Sequence, residues 1–190
     1  MSEKTITYYP TLGDENTEKT LKAAKKRADE LGIKTIIVSS TRGGSALKAL
    51  DTFQGYNVII VTHEAGYREP GKIEITPETV EEIKKKGGKM LTTVHAFGGV
   101  ATAIQRKFNT LESGQLVANV LRLFGQGMKV TVEMTYMAAD AGLLPMDEDI
   151  VSIAGTARGL DTAIVVKPAH SRDMFDLYVK EIIAKPSTRS

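Results

Sequence analysis

Short apolar, β-branched runs alternate along the chain with longer segments in which apolar residues return every three or four positions, which predicts alternating strands and helices. "KTITYYP" reads as a short strand. It leads into "TLGDENTEKTLKAAKKRADELG", a helix with Asp14 or Asn16 at its start, Leu21, Ala24, Ala28 and Leu31 on its apolar face, and Gly32 as its stop. Strand "KTIIVS", helix "GSALKALDTF" and strand "YNVIIVTH" follow, then the loop "EAGYREPGKIEI" and helix "PETVEEIKKKG" with Pro77 in its first turn. "KMLTTVH" reads as another strand, and "AFGGVATAIQRKF" connects it to the amphipathic "ESGQLVANVLRLFG". There Leu116, Val120 and Leu123 lie at helical spacing, either as core or as a subunit face in a homo-oligomer.

"GMKVTVEMTYMAADAGLLP" supports two patterns. Val130, Val132 and Met134 alternate as in a strand, while Val130, Met134, Met137, Ala138 and Ala141 form a helical stripe; length and the Gly142 stop favour helix. "DIVSIAG" and "TAIVVKP" read as strands, and "SRDMFDLYVKEII" as a closing helix. The loop between those strands, "TARGLD", is far shorter than the dozen or so residues a parallel crossover needs, so the two strands pair antiparallel. The expected fold is therefore α/β, with a mixed, mostly parallel sheet carrying an antiparallel edge strand.

At 190 residues the chain reads as one domain over 1–190, able to bury about two thirds or more of its unfolded surface. It has no cysteine, which removes disulfides and thiolate chemistry and suits a reducing compartment. With 25 basic and 23 acidic side chains there is no electrostatic footprint for nucleic acid, and the clusters "KAAKKR" and "IKKKGGK" read as solvated helix faces. No apolar stretch approaches the roughly 18 residues of a membrane helix, and "MSEKTITYYP" has no signal core. The expectation is a cytoplasmic protein with neither membrane nor nucleic-acid partners.

Candidate chemistry gathers where strands end. "SSTRGGS", from Ser39 to Ser45, joins a strand to a helix start, where backbone N–H groups and the helix dipole attract an anion. Gly43 and Gly44 permit close approach, Ser39, Ser40, Thr41 and Ser45 offer hydroxyls, and Arg42 is either a phosphate clamp or an exposed loop residue. Neither GxxxxGK[ST] nor GxGxxG is present, which disfavours nucleoside triphosphate hydrolysis. Asn16 and Thr17 either cap their helix or add donors to a ligand. Thr156, Arg158, Gly159, Asp161 and Thr162 form a dense polar loop that is either a plain turn or a ligand contact. His63 and His95 each end an apolar strand, and parallel neighbours would bring both rings to the crevice edge shared with the serine hinge. Three histidines and no cysteine leave few ligands for a transition metal, so no metal site is assigned.

The hinge "IIVSSTRGGSALKA" followed by "NVIIVTHEAGYREPG" resembles the C-terminal α/β domain of pyruvate kinase, in which a comparable loop binds the phosphate of an allosteric sugar. The ordered set "GDENTEKTL", "THEAGYREPGKIE", "TVHAF", "MAADAGLLP" and "GTARGLDTAIVVKPA" is similar to a mainly archaeal family of stand-alone pyruvate kinase C-terminal-domain-like proteins. The resemblance implies a three-layer α/β/α sandwich. It carries over no kinase activity, because the separate (β/α)₈ barrel, which needs about 200 or more residues, is not expected here. It implies flavin mononucleotide (FMN) as a ligand: phosphate at Ser39–Ser45, and isoalloxazine contacts from His63, Gly66, His95 and the 156–162 loop. The implied function is an FMN-binding protein with a redox role. The alternative is a sensing module for a phosphorylated metabolite.

Overall fold

The computed structural model describes residues 3–189. Seven strands, β1 (Thr7–Tyr9), β2 (Thr35–Ser39), β3 (Asn57–Val61), β4 (Lys89–Leu91), β5 (Ile150–Ala154), β6 (Thr162–Lys167) and β7 (Tyr178–Pro186), form one sheet ordered β1-β7-β6-β5-β2-β3-β4. Six helices accompany them: α1 (Thr17–Leu31), α2 (Gly44–Thr52), α3 (Pro77–Lys85), α4 (Val100–Phe108), α5 (Ser113–Arg122) and α6 (Gln126–Asp140).

The central strands are apolar at every step because both sheet faces are covered. Ile36, Val38, Val58 and Ile60 pack with α1, α2 and α3 on one face; Ile37, Ile59 and Val61 pack with α5 and α6 on the other. Ile36, Ile37, Ile59 and Ile60 are fully buried, each contributing about 1.5–3 kcal/mol relative to an exposed side chain. The result is a three-layer α/β/α sandwich. Among the described residues no helix is long and apolar enough to cross a membrane.

β5 and β6 pair antiparallel, Ala154 opposite Thr162, in agreement with the loop-length argument. The reversed strand is not at the edge, however. β6 is antiparallel to β7 as well, and β1 joins β7 in parallel, so the sheet continues two strands beyond it. The closing helix expected over 171–183 is replaced by a short 3-10 turn, Ser171–Asp176, and the nine-residue β7. The cause lies in two register shifts where β7 meets β6, between Ala163 and Ile164 and between Val165 and Val166. Such irregularities break strict alternation, and the surviving apolar spacing imitates a helix.

Other boundaries shift modestly. β4 stops at Leu91, so Thr92 to His95 run on as irregular chain. A 3-10 turn at Gly13–Asn16 precedes α1, and the Asn16 side chain donates to the Thr11 carbonyl (2.8 Å) instead of capping the helix. Leu31 is exposed in the last turn, while Gly32 adopts the expected left-handed C-cap. α3 begins as Pro77 implies, with Thr76 accepting from the Thr79 N–H. α6 is helical throughout. On α5, Leu116, Val120 and Leu123 are exposed and Ala118 is buried toward α6, so those three are not core.

Candidate ligand-binding site

β2, β3, β4 and β5 are parallel, so their C-terminal ends open on one edge of the sheet. The β5–β6 loop and the β1–α1 turn reach the same edge, since Ala154 pairs with Thr162 and Tyr9 with Pro186. All the candidate residues thus share one edge, but they form two assemblies with different characters.

The first is a closed junction. Asp161 is fully buried; its Oδ2 accepts from the Gly13 N–H (2.8 Å) and the Thr156 N–H (3.1 Å), and its Oδ1 accepts from the Thr162 hydroxyl (2.8 Å). Thr17 accepts from the Leu160 N–H at 3.0 Å. The two loops touch so closely that a Cβ on Gly159 would lie 2.4 Å from the Asp14 Cα, and one on Gly13 would lie 2.6 Å from the Arg158 carbonyl oxygen; both glycines have positive φ. The start of α6 covers the other side, where a Cβ on Gly127 would meet the Thr162 hydroxyl oxygen at 2.1 Å. Thr17, Asp161 and Thr162 are therefore engaged within this junction, and Asn16 donates to Thr11 beside it. In this loop Ala157 and Arg158 are exposed.

The second assembly is open. Ser40 is buried, and its Oγ accepts from the Ala46 N–H (3.1 Å), fixing the hinge to the first turn of α2. Gly43 is the left-handed N-cap (φ 93°), packed so tightly that a Cβ would lie 2.2 Å from Thr79 Cγ2. Gly44 has open space where its Cβ would be. The Gly44 and Ser45 N–H groups find no protein acceptor among the described residues. Arg42 stands beside them, 68% exposed.

Thr41 links this hinge to His63, with Oγ1 3.4 Å from Nε2. The other ring nitrogen, Nδ1, lies 2.7 Å from Glu74 Oε2, and Arg42 and Arg68 approach the second Glu74 oxygen at 3.6 and 3.9 Å. Tyr67 lies over His63 (4.1 Å between centroids), and His95 meets both rings edge-on at 5.4 and 5.5 Å. Glu64 holds the His95 segment by accepting from its backbone N–H (2.9 Å). Burial pushes the His95 pKa below its ordinary 6.5, against the opposing pull of Glu133 and Glu64. Gly66 lies in the loop that carries Tyr67.

Behind His95 a cavity of about 400 Å³ runs between the 64–67 loop, the 95–99 turn and helices α4, α5 and α6. At its wall Glu133 accepts from the Phe97 N–H (3.0 Å) and is ion-paired with Lys129, one turn earlier on α6. Among the described residues no three His, Asp or Glu side chains gather closely enough to hold a metal ion.

Glu64, Tyr67, Glu74 and Lys129 were not marked by the sequence patterns. For Lys129 and Glu133 a signal exists: they are the two charged residues in the otherwise uncharged 127–139 stretch, four apart, where α6 is buried. Glu74 and Glu64 carry no comparable mark, since each is one carboxylate in a polar loop.

In open α/β sheets ligands generally bind at the carboxyl edge of the parallel strands, the edge where this chain carries its donor-rich loops. Residues 18–166 match the family described as pyruvate kinase, alpha/beta domain, and the chain belongs to that family. Among solved structures it is similar to a pyruvate kinase from Cryptosporidium parvum, with 16% identity and a TM-score of 0.42, over 80% of this chain and 23% of that one. The same organism's pyruvate kinase in complex with ADP gives 15% identity and a TM-score of 0.39, over 78% and 22%. The chain thus spans less than a quarter of the length of these enzymes.

Proposed function

We propose that this domain binds a phosphate-bearing small molecule with a planar ring, FMN being the first candidate. The observation that carries the reading is the Thr41–His63 contact, which joins an anion-attracting hinge to a cluster of three aromatic rings. The phosphate would lie on the Gly44 and Ser45 N–H groups with Arg42 beside it, since the helix dipole and two unused donors favour an anion there. The ring would pack against Tyr67 and His95. The residues present suit both halves of such a ligand: open space at Gly44 and an exposed aromatic face at Tyr67. Bound flavin would supply any redox chemistry, and the chain would bind, orient and shield it.

A second reading, a sensing module for a phosphorylated metabolite without a ring, is favoured by Arg42 and Arg68. Both are largely exposed yet converge on Glu74, and a multiply charged phosphate would draw them together.

An absorption spectrum of the purified protein, followed by FMN titration of any colourless fraction, tests the first reading. Flavin bands, or saturable binding that Ser45→Ala weakens, support it. No bands and no binding sink it, and thermal stabilisation by a sugar phosphate would then support the second.

A further inference from the structure

The cavity behind His95 carries groups that the phosphate reading leaves unused. Glu133 and Lys129 are 4% and 12% exposed as side chains, a costly placement for two charges. Their hydrogen bonding is unequal. Both Glu133 oxygens are engaged, one by the Phe97 N–H and one by Lys129, whereas the Lys129 ammonium, with three donors, has Glu133 as its single acceptor among the described residues. Arg122 lines the same cavity: Nε donates to Gln126 and Nη1 to Asn119, both at 2.9 Å, and Nη2 has no partner among the described residues. Two cations with unused N–H donors therefore line the same cavity.

We propose that this cavity binds a small monocarboxylate, its oxygens on Lys129 and Arg122 and its organic body against Tyr67, His95, Ala103 and Ala118. The charge follows from the wall. Arg106, Arg122 and Lys129 face Glu64 and Glu133 in the lining, a surplus of one positive charge, which matches a singly charged anion better than a doubly charged phosphate. A volume of about 400 Å³ holds far more than a carboxylate, and the two rings with two alanines offer its body a small apolar strip within a mainly polar wall. Its anion-binding groups are distinct from the α2 hinge, but it shares Tyr67 and His95 with the ring position proposed above, so benzoate is titrated in the absence of FMN.

Benzoate and its neutral analogue benzamide are suitable probes, read by NMR of the histidine rings; with three histidines in the chain the His95 signal is resolvable. Benzoate should shift the His95 signal saturably, with benzamide at least about 10-fold weaker, a difference worth about 1.4 kcal/mol. Lys129→Met alone strands a buried carboxylate, so the test uses Lys129→Met with Glu133→Gln, which keeps an acceptor for the Phe97 N–H. That double variant should weaken benzoate at least about 10-fold. Ser45→Ala, which acts at the hinge, should leave benzoate within about 2-fold. The proposal is overturned if benzoate gives no saturable shift up to about 10 mM, if benzamide or inorganic phosphate binds as well, or if the double variant binds benzoate unchanged. Loss of FMN binding in Ser45→Ala with benzoate unaffected, or the reverse in the double variant, separates the two sites.

Discussion

Replacing Asp161 by Ala should cost the protein a large part of its stability while leaving the open site untouched. The Asp161 carboxylate is wholly buried and accepts two backbone N–H groups, from Gly13 and Thr156, and the Thr162 hydroxyl. Hydrogen bonds to a charged acceptor contribute about 1.5–3 kcal/mol each, and the hydroxyl can turn elsewhere, so losing the two backbone bonds should cost about 3–6 kcal/mol. That is a substantial share of the roughly 5–15 kcal/mol typical of a folded domain. Asp161→Asn keeps one oxygen in place for the backbone donors and should cost about 1 kcal/mol. Urea unfolding followed by far-ultraviolet circular dichroism measures both, with the m-value checked for constancy. A loss below about 1 kcal/mol in Asp161→Ala would refute the view that this carboxylate locks the 13–17 turn to the 155–162 loop. Ligand binding abolished in Asp161→Asn at unchanged stability would give the residue a direct role in the ligand site.

Gly43→Ala should destabilise by about 2 kcal/mol or more, from its left-handed φ and the contact with Thr79, whereas Gly44→Ala should be neutral or slightly stabilising in the same unfolding assay. His95 in the folded state holds its proton less firmly than in the unfolded chain, so the unfolded state takes up more protons as pH falls below 6.5 and stability drops. His95→Gln should flatten that part of the urea midpoint against pH curve, and unchanged slopes would contradict the burial argument. Tyr136 is buried, donates to the Met174 carbonyl (2.8 Å), and has its pKa pushed up to about 12. A spectrophotometric titration should show one tyrosine ionising only near that pH, absent in Tyr136→Phe, which should also lose about 1 kcal/mol of stability.

Patterns of local origin were legible in the sequence. Two-sided burial makes β2, β3 and β6 continuous apolar runs, the short "TARGLD" loop dictates antiparallel pairing, and strand ends place His63 and His95 at one edge. Features set by distant contacts were not legible. The polarity of the 156–162 loop left a plain turn and a ligand contact open, and its contact with the 13–17 turn comes from more than 140 residues away. β7 hid behind its irregular register with β6, and with it the two strands that carry the sheet past the reversed β6. Glu74 became a site residue only when the 64–76 loop folded back on His63. The pairing of Lys129 with Glu133 was visible as helical spacing, but their outlook onto a cavity depended on where the 95–99 turn lay.

The pairing of residues 7–9 with 184–186 also bears on how the chain reaches this structure. β2, β3 and β4 can join as soon as a short stretch of chain has formed, whereas α1 packs on β5, β6 and β7. α1 can meet α2 early, but the part of its surface that β5, β6 and β7 cover waits until those strands have been made. Contacts so remote in sequence slow folding and prolong the exposure of apolar surface. α1 is thus completed late, and until then part of its surface stays open to a chaperone or to a mistaken neighbour.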